Sequence, residues 1–237
     1  MMEYLIKLWK QVVIIISYNI NISLTQEILP HRLKYSIIRA TYESGDKSQI
    51  SNYRAVSLLM GFSKIMEIVK SRMLKQHLGT CNILPSEQYN FWEGVSTSKA
   101  IYKLINSVYE AWNNKHYIAG IFCNRTKAFD CLRHEVLLSK LEHYSVMEII
   151  LNWFRSDFNY RRQRISLAFI ATHRFWSDWK SMNCGVPQGS VLGPILFNIY
   201  IYIYIYKLLP KIMDKLSHTI LCDDDINIVV TSTDCND

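Results

Sequence analysis

A chain of 237 residues that is 49% apolar and 20% charged carries enough apolar surface for a proper core, which excludes a disordered chain and a mini-domain that depends on staples. Its formal charge of +7 suits a polyanionic partner and says nothing about fold. The six cysteines show neither a C-x-x-C pair nor zinc spacing, so they read as reduced, intracellular thiols rather than a disulfide framework.

In chain order, "LIKLWKQVVIIISY" comes first, with its uninterrupted apolar run confined to Val12–Ile16 and no small-residue cleavage site behind it. The run is too short for a leader or for the roughly 20 residues of a membrane span, and predicts a packed helix or strand. "PHRLKYSIIRATYESGDKSQISNYRAVSLL" predicts an extended segment, a Gly45-Asp46 turn and a second extended segment. "SKIMEIVKSRMLKQHL" predicts an amphipathic helix with Ile65, Ile68, Val69 and Met73 on its apolar face. "STSKAIYKLINSVYEAW" predicts another, with Ile101, Leu104, Ile105, Val108 and Trp112 at helical spacing behind a Ser96/Thr97 cap.

"HYIAGIF" then reads as a buried strand that runs into "CNRTKAFD". Two short helices follow, in "EVLLSKLEHY" and "MEIILNWFRS". The basic-aromatic "FNYRRQRISLAF" turns into strand, and "WKSMNCGVPQGSVLGPILFNIY" reads as a strand, a glycine-bearing loop and a helix. The alternating "IYIYIYIY" of Ile199–Tyr206 has the period of a strand, but its place after a helical start argues for helix. Strands that alternate with helical patterns predict a mixed α/β or α+β sheet domain. Trp92, Trp112, Trp153, Trp176 and Trp179 are expected to pack in the core or between subdomains, and the seven histidines show no ligand pairing.

Near the end, "TILCDDDINIVV" sets three aspartates between two β-branched runs, a strand, turn and strand with acids at the turn. Carboxylates this close repel unless a cation sits among them. Adjacent acids on a hairpin suit hard divalent ions, and two such ions about 3.5–4 Å apart serve nucleotidyl transfer. One turn cannot surround both ions, so another polar strand end has to contribute, and "GIFCNRTKAFD" is the obvious source. A solvated turn of acids is the plain alternative for Asp223–Asp225, as an ordinary loop is for "GVPQGS" and a solvated basic face for "YRRQR".

The order and spacing of "NRTKAFD" (124–130), "GVPQGSVLGP" (185–194) and "CDDD" (222–225) resemble the palm motifs of reverse transcriptases, above all those of jockey-type non-LTR retrotransposons. The likeness extends to "ESGDKSQISNYRAVSLL", "ILPSEQYNFWEGVST" and "LNWFRSDFNYRRQRISL", and covers the chain from about residue 20 onward. It implies an α+β fold with fingers and palm, an antiparallel palm sheet with helices packed on one face, and a missing thumb. Residues 20–118 would be mainly fingers and 119–237 mainly palm, with 160–186 returning to the fingers as an option. It implies Asp224 and Asp225 as catalytic and metal-binding acids for Mg²⁺ or Mn²⁺, with Asp224 the ligand proper. Arg54, Lys47, Phe129, Gln188 and Gly189 fall at nucleotide-binding positions, and Arg161, Arg162 and Arg164 at nucleic-acid contacts. The implied partners are an RNA template, a DNA primer and a deoxynucleoside triphosphate, without a membrane. The sequence gives no strong evidence for an oligomer.

The departures point to a degenerate, truncated copy. The first family acid is Asn124 here, and an amide offers one neutral oxygen where a carboxylate offers two charged ones, which weakens metal binding. Gln88-Tyr89-Asn90-Phe91-Trp92 lacks the family's glycine and arginine, and Ala55 stands where the family has proline. The expectation is a reverse transcriptase domain of a mobile element, inactive in this copy. A non-catalytic nucleic-acid-binding remnant and an unexpressed pseudogene product are the alternatives.

Overall fold

The computed structural model describes residues 2–81, 83, 89, 96–124, 128–170, 173–201, 217–222 and 225–233. The chain opens on helix α1 (Met2–Thr25). The last part of α1 packs: Ile20 and Leu24 lie on a small cluster of Leu29, Leu33, Met66 and Trp153, and Trp153 Nε1 donates to Ser23 Oγ at 2.9 Å. The run of Val12, Val13, Ile14 and Ile15, expected to pack, is exposed, and the cluster takes its α1 contacts from Ile20 and Leu24 further along the helix. No helix among the described residues is long and apolar enough to cross a membrane.

Strands β1 (Tyr35–Tyr42) and β2 (Tyr53–Leu59) form the expected hairpin. Gly45 lies in the connection with a φ of +90°, a conformation a side chain resists, and Tyr42 Oη donates to its carbonyl at 2.7 Å. Helices α2 (Gly61–Thr80), α4 (His134–His143) and α5 (Glu148–Phe158) build the main core. Leu74, Leu78, Leu137, Leu141, Phe154 and Phe197 are fully or almost fully buried there. Each such side chain contributes about 1.5–3 kcal/mol by leaving water.

The buried face of α2 is not the predicted one. It runs through Ser63, Met66, Glu67, Lys70, Leu74 and Leu78, while Ile68 is exposed. Both stripes have helical spacing. The one with two charges wins because partners on α5 and in the loop after it neutralise them.

β4 (Arg162–Ile170) pairs parallel with β1 and antiparallel with β5 (His173–Trp176) and β6 (Lys180–Ser181), so the first sheet runs β2-β1-β4-β5 with β6 beside β4. The loop after β6 leads to a helix over residues 193–201, α6, so the first residues of the Ile-Tyr repeat are helical and residues 202–206 lie outside the described residues.

A second, antiparallel sheet runs β3-β8-β7, from β3 (Tyr117–Asn124), β7 (Ser217–Cys222) and β8 (Asp225–Ser232). Helix α3 (Thr97–Asn113) packs against it, opened by Ser96, whose side chain accepts from Lys99 N–H. The protein is thus α+β, with an antiparallel sheet carrying the acid hairpin.

Two expectations fail here. β3 is an edge strand rather than a buried one, and Tyr117, Ile121 and Phe122 are exposed, because only β8 pairs with it among the described residues. α3 turns its small residues, Ala100, Ser107 and Ala111, inward. Ile101, Ile105, Val108 and Trp112, predicted for the core, are exposed. Small side chains let the sheet approach closely, and only Leu104 of the predicted stripe reaches the cluster around Ile220.

Candidate active site

The two strands that flank the predicted acid turn, β7 and β8, pair with each other, and β3 lies on the other side of β8. Cys222 pairs with Asp225 between β7 and β8, and Asn124 pairs with the same Asp225 between β3 and β8. Asn124, Asp225 and Cys222 therefore form one row across three strands. Directly opposed positions of an antiparallel pair have Cα atoms about 4.5–5.5 Å apart. The sequence puts Asn124 and Asp225 a hundred residues apart, and the register makes them neighbours. Asp223 and Asp224 lie outside the described residues. No group of three or more His, Cys, Asp or Glu side chains that could hold a metal occurs among the described residues. The oxygen donors in the row, the Asn124 amide and the Asp225 carboxylate, are hard and suit a hard divalent cation, with one carboxylate fewer than Asp at 124 would give.

The loop with Gln188 and Gly189 is fixed by its backbone. Gly185 N–H donates to Leu132 O at 2.7 Å and Val186 N–H to Phe129 O at 3.0 Å, which ties the loop to the short 3₁₀ turn Ala128–Cys131. Gly185 has a φ of +80°, and a Cβ there would stand 2.9 Å from Asp130 O, so only glycine fits. Its carbonyl is held at 2.7 Å by His134 Nε2, whose ring stacks on Phe158. Burial pushes the His134 imidazole below its usual range and keeps it neutral. On the far side Ser57 N–H of β2 donates to Gln188 O at 2.7 Å. Phe129 is half-buried and stacks on Phe197 of α6 with centroids 4.7 Å apart.

Arg54 and Lys47 lie at the connection end of the β1–β2 hairpin. Arg54, opposite Thr41, pairs with Glu43 at 2.5 Å on the surface, and Lys47 Nζ sits 5.4 Å from the Tyr42 ring centroid. A surface pair of this kind contributes little and yields readily to a phosphate.

The three arginines predicted as nucleic-acid contacts do not share a surface. Arg162 is exposed. The Arg164 guanidinium lies 4.0 and 4.6 Å from the ring centroids of Trp176 and Trp179, and its buried Nε has no hydrogen-bond partner. Arg161 is inside the protein, 5% exposed, donating from Nε and Nη2 to Asp157 Oδ1 at 2.9 and 2.6 Å. Its backbone follows Tyr160, which has a φ of +61°, and this bend turns Arg161 inward.

Around Arg161 lies a charge cluster that the sequence reading missed. Asp157 Oδ2 accepts from Lys70 Nζ at 2.8 Å, and Lys70 stands over the Trp153 ring at 4.3 Å. Glu67 Oε1 is 3.7 Å from Arg161 Nη2. Burial pushes the Asp157 carboxyl up, but the charges of Arg161 and Lys70 outweigh it and hold the group at about 2. Burial pushes Glu67 up and Lys70 down. The one signal in the sequence was a pair of opposite charges three apart, Glu67 and Lys70, inside an otherwise apolar stretch of helix.

Residues 45–235 match the family described as "Reverse transcriptase (RNA-dependent DNA polymerase)". The chain is 27% identical over 225 residues to "Probable RNA-directed DNA polymerase from transposon BS" of Drosophila melanogaster, covering 92% of this chain and 24% of that protein. It is 31% identical over 169 residues to "RNA-directed DNA polymerase from mobile element jockey" of the same species, covering 70% and 17%. The chain thus spans about a quarter or less of the length of these relatives. Among solved structures it is similar to apo telomerase from Candida tropicalis truncated from the C-terminal domain, with a TM-score of 0.62 at 10% identity over 88% of this chain and 45% of that one. That likeness speaks for the fold.

Proposed function

The chain belongs to the reverse transcriptase family, and from that premise we propose that it is the fingers and palm of a mobile-element polymerase whose reaction is RNA-templated DNA synthesis. The observation that carries the site assignment is the register of Asn124 against Asp225. It joins the two separated motifs at the point where the family reaction needs its acids. Asp225, Asp224 and Asn124 are the residues that would hold Mg²⁺ or Mn²⁺, and such ions, when bound, activate the attacking oxygen and stabilise the leaving one. With Asn124 as the third donor the set is short of one charge, so this copy binds metal weakly and is catalytically inactive. That same feature favours a second reading, a nucleic-acid-binding remnant without catalysis.

The remaining assignments follow the family motifs. Gln188 and Gly189 face the incoming deoxynucleoside triphosphate, Phe129 backs the sugar from its stack on Phe197, and Arg54 and Lys47 meet the triphosphate. The shared sheet of β1, β2 and β4 supports placing residues 160–186 with the fingers and the rest beyond 119 with the palm. Arg162, rather than the buried Arg161, contacts the nucleic-acid backbone. RNA–DNA hybrid binding is expected to weaken with salt, with a log–log slope of about −3 for some three phosphate contacts. Arg162→Ala should make that slope shallower by about 1 and leave melting unchanged. Fluorescence anisotropy across a salt series measures both. A flat salt response, or a slope untouched by Arg162→Ala, would sink this part of the reading.

A further inference from the structure

The loop with Gln188 and Gly189 is tied mostly by backbone atoms, and one of its side-chain ties reaches it from the inner face of α2. Val191 N–H donates to Glu67 Oε2 at 2.8 Å. Glu67 is 3% exposed on the inner face of α2. A buried carboxylate is costly, and an apolar residue of similar volume often serves packing as well or better. Its two oxygens have separate tasks. Oε1 faces Arg161, and Oε2 accepts the Val191 N–H, two residues before α6 begins. The neighbouring donors are already assigned: Ser190 N–H to Pro187 O at 3.0 Å, and Gly193 N–H to Ser190 Oγ at 2.8 Å. On the other side of the turn, Gln188 O is held by β2, the strand of Arg54. Gly189 lies so close to that strand that a Cβ would stand 3.3 Å from Ser57 O.

We propose that Glu67 is a positioning residue for the nucleotide site: through Val191 it sets the Gln188–Gly189 turn against β2. The inference rests on the assignment of this loop to the incoming nucleotide. It separates two roles of one side chain, a charge partner for Arg161 and an acceptor for the loop. Glu67→Gln keeps an acceptor oxygen and loses the charge, whereas Glu67→Ala loses both.

Hydrogen exchange followed by mass spectrometry on the full chain distinguishes them. In Glu67→Ala the amides of 186–193 are expected to exchange at least about tenfold faster, while those of β8 change less than about threefold. In Glu67→Gln the loop should stay within about threefold of the unmodified chain, although both variants melt lower. Hybrid affinity should follow the loop, falling in Glu67→Ala and holding in Glu67→Gln. Loop exchange that rises equally in both variants, or together with β8, would show that Glu67 only balances Arg161. If Glu67→Ala does not fold, Val191→Pro removes the donor at a position 37% exposed and leaves the pair with Arg161 intact. The loop should then loosen in the same way, and unchanged protection overturns the proposal. An unmodified chain that binds no hybrid would overturn the functional reading, while the exchange comparison still decides for or against Glu67.

Discussion

Asn124→Asp is expected to make melting metal-dependent: with Mn²⁺ at a hundred times its dissociation constant, linkage stabilises the folded chain by about 2.7 kcal/mol. For a domain of this size that corresponds to a rise of roughly 5–10 °C. The reason lies in the row across the second sheet. Residue 124 stands directly against Asp225, so a second carboxylate there adds a full negative charge next to the first. Without metal the two carboxylates repel, and the variant should melt no higher than the unmodified chain. With metal the repulsion becomes coordination. The unmodified chain, with its neutral amide, should gain at most a degree or two under the same conditions, and Asp225→Ala should cancel the gain of Asn124→Asp. Differential scanning fluorimetry with and without Mn²⁺ reads all of these arms. A metal response of equal size in both chains would place the cation elsewhere.

The largest loss of stability is expected for Asp157→Asn, at roughly 3–5 kcal/mol. Asp157 is 1% exposed and meets Lys70 and Arg161, which are 0% and 5% exposed. Removing the carboxylate leaves two cations buried with Glu67 as their remaining counter-charge, and Arg161 already has one buried nitrogen without a partner. The same group sets the acid limb of stability. Its folded value of about 2 lies below the ordinary 3.8, so its contribution is present in full above pH 4 or so and is lost as pH falls through about 2. Urea unfolding from pH 5 to pH 2 should show this limb in the unmodified chain and a much shallower one in Asp157→Asn. A loss below 1 kcal/mol on substitution, or an unchanged acid limb, would mean that the cluster relaxes or admits water.

What the sequence made legible was local. Gly45-Asp46 between two extended runs is a hairpin in any context, and three aspartates between β-branched runs announce an acid turn. Helix positions were legible too, because apolar spacing at 3.6 residues needs no partner to be seen. Which face a helix buries is a different matter. Glu67 and Lys70 look like solvent residues until Asp157, 87 positions beyond Lys70, supplies the charge that lets them turn inward. β3 reads as buried because its residues are apolar, but edge status depends on which strands lie beside it. In the site, the acids and the loop glycines were visible as motifs. Their supports, His134 and Glu67, were not, since each acts through a backbone atom that leaves no mark in the sequence.

Primer extension on an RNA template with the unmodified chain, in Mg²⁺ and in Mn²⁺, tests the central claim most directly. The account predicts hybrid binding without extension: the row of Asn124 and Asp225 lacks one charge of a metal site in which each ion stabilises the transition state by several kcal/mol. Metal-dependent extension by the unmodified chain that disappears in Asp224→Ala would contradict it, and would show that an amide at 124 suffices.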